Sequence, residues 1–277
     1  MNYSKRFRVG HGSHARLSKI DPAFDGDGDK EAAAEKTDAN VEKLRELQFR
    51  LYAEGERSLL ICLQGLDASG KDGTINHILG AMNPQGTRVQ AFKVPTHEEA
   101  SHDFLWRVHA HVPARGQVVV FNRSHYEDVV VVRVHGLVPK SVWSERYDRI
   151  NEFERNLVDG RTHILKFYLH LSQGEQLRRF KQRIDDPARH WKISEADYTE
   201  RKFWPKYIEA YEDALEKTST RHAPWFIIPA DHKWFRNLAV STIVVDELTS
   251  MGMKLPKPTV NLDAIRRKYH RAAKDQG

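Results

Sequence analysis

The strongest fold signal in the chain is residues 59–78, which read LLICLQGLDASGKDGTINHI. They pass from an apolar strand through a glycine-rich turn to a lysine and a helix-like segment. In the order Gly65-x4-Gly70-Lys71, backbone amides cradle phosphate oxygens, the following helix presents its positive end, and the lysine adds a point charge. A glycine turn with an accidental lysine is the alternative. The strand before the turn and the helix after it favour a phosphate-binding loop.

Two carboxylates lie in or beside this loop. Asp72 stands where such loops usually carry Ser or Thr, whose hydroxyl binds Mg²⁺. It can replace that hydroxyl as a hard oxygen ligand, or serve only as a charge partner of the helix N-terminus. Asp67 can hold a second magnesium ion or accept a proton. Because two carboxylates beside phosphates need cations between them, we expect a metal-rich site for phosphoryl transfer.

The bulk properties restrict the class of protein. The chain has 277 residues, with 40% apolar residues scattered among 30% charged ones, as in ordinary globular proteins. No apolar run approaches the roughly 20 residues of a membrane span, and no secretory signal is visible. The single cysteine, Cys62, excludes an internal disulfide and cysteine metal clusters. We therefore expect a cytoplasmic protein without membrane contact. Its net charge of +6 favours anionic partners, although solubility alone also accounts for it.

Short apolar strands alternate with helical segments, which predicts an α/β protein with a parallel sheet covered on both faces. The predicted strands are 58–64, 88–94, 117–122, 163–171 and 224–229. The predicted helices are 30–54, 73–82, 97–111, 125–135, 141–158, 174–185, 196–218 and 233–252. We expect a single domain over residues 1–277. Its N-terminal arm and helix cover 1–55, a polar, basic and loose tail starts at Pro256, and residues 224–250 offer an amphipathic surface for a dimer or tetramer.

Polar and charged residues follow the apolar stretch QVVVF. Asn122 and Arg123 come directly after it, and Glu127 and Asp128 lie about a turn further on. Ligands of open α/β sheets gather at the carboxyl ends of strands. We therefore expect Arg123 to stabilise phosphoryl charge, the two carboxylates to bind magnesium, and Arg133 to belong to the same site. The alternative, solvated surface charges, is weakened by the buried strand that precedes them.

A basic segment, EQLRRFKQRIDDPARHWK, follows the fourth predicted strand. Its cations are Arg178, Arg179, Lys181, Arg183, Arg189 and Lys192. Nucleotide kinases close a basic, mobile lid over the transferred phosphates to exclude water, so we expect a lid within about residues 178–205. An ordinary solvated helix face is the alternative. The proline and tryptophan of DPARHWK indicate a shaped turn and favour the lid.

With these residues in view, the sequence resembles the polyphosphate kinase 2 family. The motifs that carry the resemblance are GLDASGKDGT, FKVPT, FNRSHYEDVVVVRV, DDPARHWK and PADHKWFRN, which follow the family's order over roughly residues 30–250. The variant NRSHYED is most similar to class III members. In those members an asparagine replaces the aspartate found before Arg-Ser in other classes, and an acidic pair follows.

The resemblance implies a P-loop kinase fold like that of thymidylate kinase, a three-layer sandwich with a parallel central sheet and a helical lid. It implies transfer of the terminal phosphate of inorganic polyphosphate to AMP and ADP, with Mg²⁺, or Mn²⁺ in its place, as the cofactor. ATP is then a product, and guanine nucleotides are further acceptors. We also expect a homo-oligomer and no nucleic-acid partner.

The resemblance further implies roles for individual residues. The implied catalytic residues are Asp67, Lys71, Arg123 and Asp128. Phosphate and nucleotide binding is implied for Gly65, Ala68, Gly70, Lys71, Asp72, Gly73, Thr74, Asn122 and Arg123. Metal binding is implied for Asp67, Asp72, Glu127 and Asp128. Polyphosphate binding is implied for Arg133, Arg178, Arg183 and Lys192.

Two other functions stay open at this point. A conventional nucleoside monophosphate kinase would use ATP as the phosphate donor, and a basic P-loop-like protein would bind nucleic acid without turnover. The order of the motifs and the position of Asp72 favour the polyphosphate-dependent enzyme. No helix-turn-helix or RNA-binding aromatic signature is evident in the sequence.

Overall fold

Five parallel strands form the central sheet of the computed structural model, which describes residues 1–26 and 28–275. The strands are β1 (Ser58–Gln64), β2 (Thr87–Ala91), β3 (Val118–Asn122), β4 (Thr162–His170) and β5 (Trp225–Pro229). They lie in the order β2-β3-β1-β4-β5, and every neighbouring pair is parallel. The carboxyl end of β1 therefore lies between those of β3 and β4.

Helices make up most of the remaining chain. Their bounds are α1 (Tyr3–Phe7), α2 (Lys30–Glu54), α3 (Lys71–Leu79), α4 (His97–Ser101), α5 (Trp106–His109), α6 (Glu127–Val134), α7 (Lys140–Asp159), α8 (Gln173–Asp185), α9 (Glu195–Arg201), α10 (Trp204–Thr218), α11 (Lys233–Ser250) and α12 (Leu262–Lys274). Short 3-10 segments cover Leu17–Lys19, Pro84–Gly86 and Pro187–Lys192. In the part of the chain that the structure describes, no helix is both long and apolar enough to cross a membrane.

The two faces of β1 enter different hydrophobic cores. Leu59, Ile61 and Leu63 pack in the core shared with α2, α3 and α11, whereas Leu60 and Cys62 pack in the core that includes α7. All seven residues of β1 are buried, as expected for a parallel strand covered on both sides. The predicted α/β fold, with a parallel central sheet between two helical layers, is confirmed.

Two predicted helices are interrupted. The helix predicted at 97–111 is divided into α4 and α5, because the Asp103 carboxylate accepts the backbone N–H of Leu105 (3.0 Å) and starts a new turn. The helix predicted at 196–218 is divided into α9 and α10, because Pro205 occupies the first turn of α10 and cannot continue the preceding helix. In both places a local constraint overrides the helical pattern.

The predicted tail contains a helix that the sequence pattern did not identify, and one further expectation is wrong. Residues 262–274 form α12, which has no buried residue, and the Asn261 side chain caps this helix by accepting the N–H of Ala264 (3.0 Å). The segment 224–250, predicted to offer a surface for oligomers, instead lies in the core. Every residue of β5 is buried, and the apolar face of α11 packs with α2. The amphipathic pattern of this segment therefore serves the interior of the chain itself.

Candidate active site

A cavity of about 690 Å³ lies at the carboxyl ends of β1, β2 and β3. This is the edge at which open α/β sheets bind their ligands. Its walls come from the loops after these three strands, from α8 and the 3-10 segment that follows it, and from the start of α11. The lining residues are Asp67, Ala68, Gly70, Lys71, Asp72, Gly73, Ala91, Phe92, Lys93, Val94, Asn122, Arg123, Arg179, Gln182, Arg183, Arg189, Lys192, Lys233 and Arg236.

The phosphate-binding loop turns sharply between β1 and α3. Gly65, Ala68 and Gly70 have φ angles of 148°, 62° and 101°, a backbone conformation that favours glycine. A side chain at Gly70 would also displace the Arg236 guanidinium, because a Cβ atom there would lie 1.8 Å from its Nη1. Residues 71–73 begin α3 and line the cavity. The N-terminus of α3 therefore presents its amides to a bound anion.

Lys71 is buried and folds back on its own loop. Its Nζ donates to the carbonyl oxygens of Gly65 (2.7 Å) and Leu66 (3.3 Å). Burial, and then the nearby Arg123 guanidinium, lower the pKa of Lys71 to about 8, against the opposing effect of Asp67. A bound phosphate would give this ammonium a charged acceptor in place of two neutral carbonyl oxygens. Lys71 is therefore positioned to bind an anion.

Arg123 connects two carboxylates at the floor of the cavity. Its guanidinium lies 3.0 Å from Asp67 and 3.6 Å from Glu127. The backbone at Arg123 has φ 61°, which is uncommon for a residue with a side chain and is held by the hydrogen bond from its N–H to the Leu63 carbonyl (3.1 Å). Burial raises the pKa of the Glu127 carboxyl, and Arg123 offsets part of that rise. These contacts bring together three of the predicted site residues.

Asp72 faces the cavity between the sheet and the predicted lid. Its carboxylate accepts a hydrogen bond from Nδ2 of Asn122 (3.0 Å), and Nζ of Lys192 lies 3.6 Å from its other oxygen. Asn122 ends β3, whereas Lys192 ends the 3-10 segment after α8. The Asp72 carboxylate is thus a point at which the loop after β1, the end of β3 and the basic segment meet.

The upper wall of the cavity is basic, and part of it was missed by the sequence analysis. Lys93, Lys233 and Arg236 have no ion-pair partner among residues 1–26 and 28–275. Burial, and then the neighbouring Arg179, lower the pKa of Arg236 to about 10. Lys93 lies in FKVPT, while Lys233 and Arg236 lie in PADHKWFRN. Position in these motifs was the signal available, since the first lies at the end of one predicted strand, and the second lies at the end of another and opens a helix.

Several predicted site residues lie outside the cavity lining. Asp128 is buried between Arg107 (3.5 Å) and Arg146 (3.3 Å), and burial raises its pKa. Arg133 pairs with Asp213 (2.6 Å) on α10. The other predicted residues absent from the lining are Gly65, Thr74, Glu127 and Arg178. Gly65 and Glu127 still touch the site through Lys71 and Arg123, but Asp128, Arg133 and Arg178 are not brought into it.

The donor set of the cavity floor suits a hard divalent cation. Asp67 and Asp72 line it with carboxylate oxygens, the ligand type that Mg²⁺ prefers, and Glu127 contacts Arg123 just outside the lining. In the described residues, no group of three or more His, Cys, Asp or Glu side chains is placed to hold a metal ion by itself. Magnesium at phosphoryl-transfer sites is bound by one or two carboxylates together with substrate phosphates, so the residues present fit such an ion.

Together the fold and this cavity define a P-loop phosphotransferase. Residues 27–256 match the family model described as polyphosphate kinase 2 (PPK2), and the chain belongs to that family. The AMP/ADP-polyphosphate phosphotransferase of Meiothermus ruber is 48% identical over 265 residues, covering 94% of this chain and 98% of the relative. The ADP-polyphosphate phosphotransferase of Rhodopseudomonas palustris is 43% identical over 272 residues, covering 92% and 93%. The crystal structure of polyphosphate kinase 2 from Arthrobacter aurescens superimposes with a TM-score of 0.95 at 42% identity, over 98% of this chain and 97% of that one.

Proposed function

We propose that this protein transfers the terminal phosphate of inorganic polyphosphate to AMP and ADP, forming ADP and ATP. The observation that carries the proposal is the charge of the cavity, whose lining contains nine basic and two acidic side chains. A polyphosphate carries negative charge on every unit, and a long cationic wall suits it better than a single anion hole. The M. ruber relative is named as a polyphosphate phosphotransferase of AMP and ADP, and the R. palustris relative as one of ADP.

The phosphate-binding loop and Arg123 act on the group that is transferred. Phosphoryl transfer rests almost entirely on positioning and on stabilising charge that is spread over the equatorial oxygens. Lys71 and the amides of the loop hold the phosphate, and Arg123, fixed by Asp67 and Glu127, stabilises the developing charge. Asp67, which lines the cavity, would accept a proton from the attacking phosphate of the acceptor nucleotide.

The cofactor in this proposal is Mg²⁺, or Mn²⁺ in its place. Asp67, Asp72 and Glu127 would hold it, and phosphate oxygens and water would complete its ligands. When bound, the ion neutralises phosphate charge and helps to align donor and acceptor. Asp72 stands where other P-loop enzymes carry a hydroxyl ligand, which is consistent with this role.

The basic segment within residues 178–205 is proposed to close as a lid. It covers the cavity from one side, and Lys192 reaches the Asp72 carboxylate across the opening. Arg183 supports this geometry by donating to the carbonyl of Lys192 (2.8 Å). Closure over the phosphates would exclude water, which otherwise competes with the nucleotide as acceptor.

Further parts of the proposal concern partners. Because the proposed contacts of Lys71, the loop amides and Arg123 are with phosphate and not with the base, guanine nucleotides are further acceptors in this proposal. Nucleic acid is not expected to bind. Exposed Phe49 and Tyr52 on α2, with Val89 on the edge strand β2, support assembly into a dimer or tetramer.

The test is to mix the pure protein with Mg²⁺, long-chain polyphosphate and AMP, and to separate the nucleotides over time. ADP followed by ATP is the expected result. If ATP formed from ADP but nothing formed from AMP, polyphosphate would remain the donor and ADP would be the acceptor, without AMP. Phosphorylation of a nucleoside monophosphate by ATP, without any reaction of polyphosphate, would replace the proposal by a conventional kinase.

A further inference from the structure

A second cavity, of about 640 Å³, lies between the N-terminal arm and the outer strand of the sheet. The arm is tied to β5, because Arg8 forms an antiparallel bridge with Phe226 and the N–H of Val9 donates to the Trp225 carbonyl (2.9 Å). We name this cavity the arm cleft. Its lining consists of residues 6–10, 13–16, 19–21 and 24 with Ile227 and Pro229. Neither the family resemblance nor the proposed reaction assigns it a role.

The arm cleft has a surplus of positive charge. Arg6, Arg8, Arg16 and Lys19 line it, and Asp21 is its one carboxylate within the described residues. Across residues 1–26 and 28–275, none of these four cations forms an ion pair. The cleft thus concentrates unneutralised cations in a concave surface, which raises the local concentration of anions.

Two of these cations are held by contacts that leave their charge available. Nη2 of Arg8 donates to the neutral carbonyl of Arg221 (2.8 Å), and the Arg6 guanidinium lies over the Phe24 ring, 5.1 Å from its centre. Such contacts orient a guanidinium without cancelling its charge. The arm cleft is therefore partly preorganised for an anion.

The arm cleft is close to the catalytic cavity. Pro229 lines the cleft and Lys233 lines the cavity, and four residues of chain span at most about 14 Å. The loop between them is fixed on both sides. The N–H of Asp231 donates to the Pro22 carbonyl (3.0 Å), and Nη2 of Arg179 donates to the Asp231 carbonyl (3.0 Å). A flexible polyanion that leaves the cavity past Lys233 can reach the cleft without large movement of the chain.

We propose that the arm cleft binds a distal segment of the polyphosphate whose end is held in the catalytic cavity. This inference rests on the proposed function. Tethering at a second site raises the effective concentration of the chain end at the first, and each phosphate neutralised releases counterions. Long chains reach both sites, whereas a short oligophosphate fills only the cavity. The arm cleft is accordingly a determinant of preference for long polyphosphate.

The test compares the double variant Arg16→Ala/Lys19→Ala with wild type and with Lys257→Ala/Lys268→Ala, which removes the same charge from exposed positions near the C-terminus. We expect the KM for long-chain polyphosphate to rise by about tenfold in the arm-cleft variant, with kcat and the KM for tripolyphosphate unchanged. The slope of log KM for the long chain against log salt should become flatter by about two, one for each charge removed. The control pair should behave as wild type.

Two kinetic outcomes and one binding outcome would overturn the proposal. An unchanged ratio of the two KM values would show that the arm cleft does not contact the donor, and an equal rise for tripolyphosphate would place both charges in the catalytic cavity. Binding of long-chain polyphosphate and binding of ATP are also measured directly, without acceptor, for wild type and the arm-cleft variant. If the variant bound only ATP more weakly, the cleft would be a nucleotide site and not a polyphosphate site. These binding measurements need no turnover. If wild type binds long polyphosphate through the cleft but does not transfer phosphate, the proposed function fails while the cleft assignment stands.

Discussion

Two charged regions of this molecule use their charges in opposite ways. Between α7 and β4, the Glu154 carboxylate and the Lys166 ammonium are fully buried, and Nζ of Lys166 lies 2.5 Å from Oε2 of Glu154. Tyr126 donates a hydrogen bond to the same carboxylate (2.8 Å). At the carboxyl edge, the cavity is lined by cations such as Lys233 and the buried Arg236, and no described acidic residue forms an ion pair with either. Charges neutralised within the chain fix its geometry, whereas charges left in surplus are available for a ligand.

The buried network also supports the site. His125 and Tyr126, which directly follow the Arg123 loop, both contact the Glu154 carboxylate, and Lys166 donates to the Thr218 carbonyl (2.7 Å). The loop that carries Arg123 is therefore anchored to α7, β4 and the end of α10. A rigid anchor of this kind preserves the strained backbone at Arg123.

Asp128 is one of the charges that are neutralised within the chain. The Arg107 guanidinium that faces it also donates to the Lys93 carbonyl (2.8 Å), and Arg146 donates to the backbone carbonyl of Asp128 (2.9 Å). Lys93 and its neighbour Val94 form part of the cavity wall. Asp128 thus joins the first turn of α6 to the loop after β2 and holds that wall in place.

The largest effect is expected for Lys71→Ala. Loss of the buried ammonium should lower kcat for ATP formation from ADP by about 10³-fold, because one preorganised charge is removed from the transferred phosphate. Single-turnover kinetics with long polyphosphate measures this, and Lys43→Ala on the exposed face of α2 is the control. Wild-type kinetics in Lys71→Ala would remove the phosphate-binding loop from the mechanism.

The buried network is tested by Lys166→Met. Removing one partner leaves Glu154 charged and unpaired, so the free energy of unfolding should fall by about 3–5 kcal/mol. Glu154→Gln/Lys166→Met should recover most of the loss, because neither charge is then left alone. Urea denaturation of the single and double variants gives the comparison. Lys181→Met, on an exposed surface pair, should change stability by less than about 1 kcal/mol.

Asp128→Asn separates a supporting carboxylate from a metal ligand. We expect the free energy of unfolding to fall by about 1–3 kcal/mol, since Arg107 and Arg146 lose a charged partner. The Mg²⁺ concentration at half-maximal rate should stay unchanged in this variant and should rise in Asp67→Asn. A raised Mg²⁺ requirement in Asp128→Asn, at unchanged stability, would restore the metal role predicted from the sequence.

The pH dependence reports the charge of Lys71. Because its pKa is about 8, kcat/KM for polyphosphate should fall with rising pH above 8, by up to about tenfold per pH unit. Lys71→Arg stays charged and should lack this descending limb. In the folded chain the pKa lies below its ordinary value of 10.5. The group therefore destabilises the free enzyme below pH 8, and this cost disappears between about pH 8 and 10.5. A flat profile in wild type would contradict the assignment.

The smallest effect is expected at the lid. Arg183→Ala should raise the KM for polyphosphate several-fold and leave kcat nearly unchanged, because it removes one phosphate contact and loosens Lys192. The slope of log KM against log salt should flatten by about one. Lys181→Ala, two residues away on α8 and paired with Asp185, is the matched control. Equal effects in the two variants would favour a solvated helix face over a lid.

The sequence alone determined the fold class and the centre of the site. The glycine spacing around Lys71 and the alternation of strands and helices are local properties, and local rules interpret them. Asp67, Asn122 and Arg123 were also predictable as neighbours, because the carboxyl ends of parallel strands meet at one edge.

Only the tertiary structure decided which nearby charges enter that site. Glu127 and Asp128 are adjacent on α6, yet a helix turns by about 100° per residue, so one contacts Arg123 and the other faces Arg107 and Arg146. Arg236, which lies against the phosphate-binding loop, comes from a helix more than 160 residues further along the chain. No local rule gives the partner of a charge, because long-range packing decides whether it is neutralised within the chain or left for a ligand.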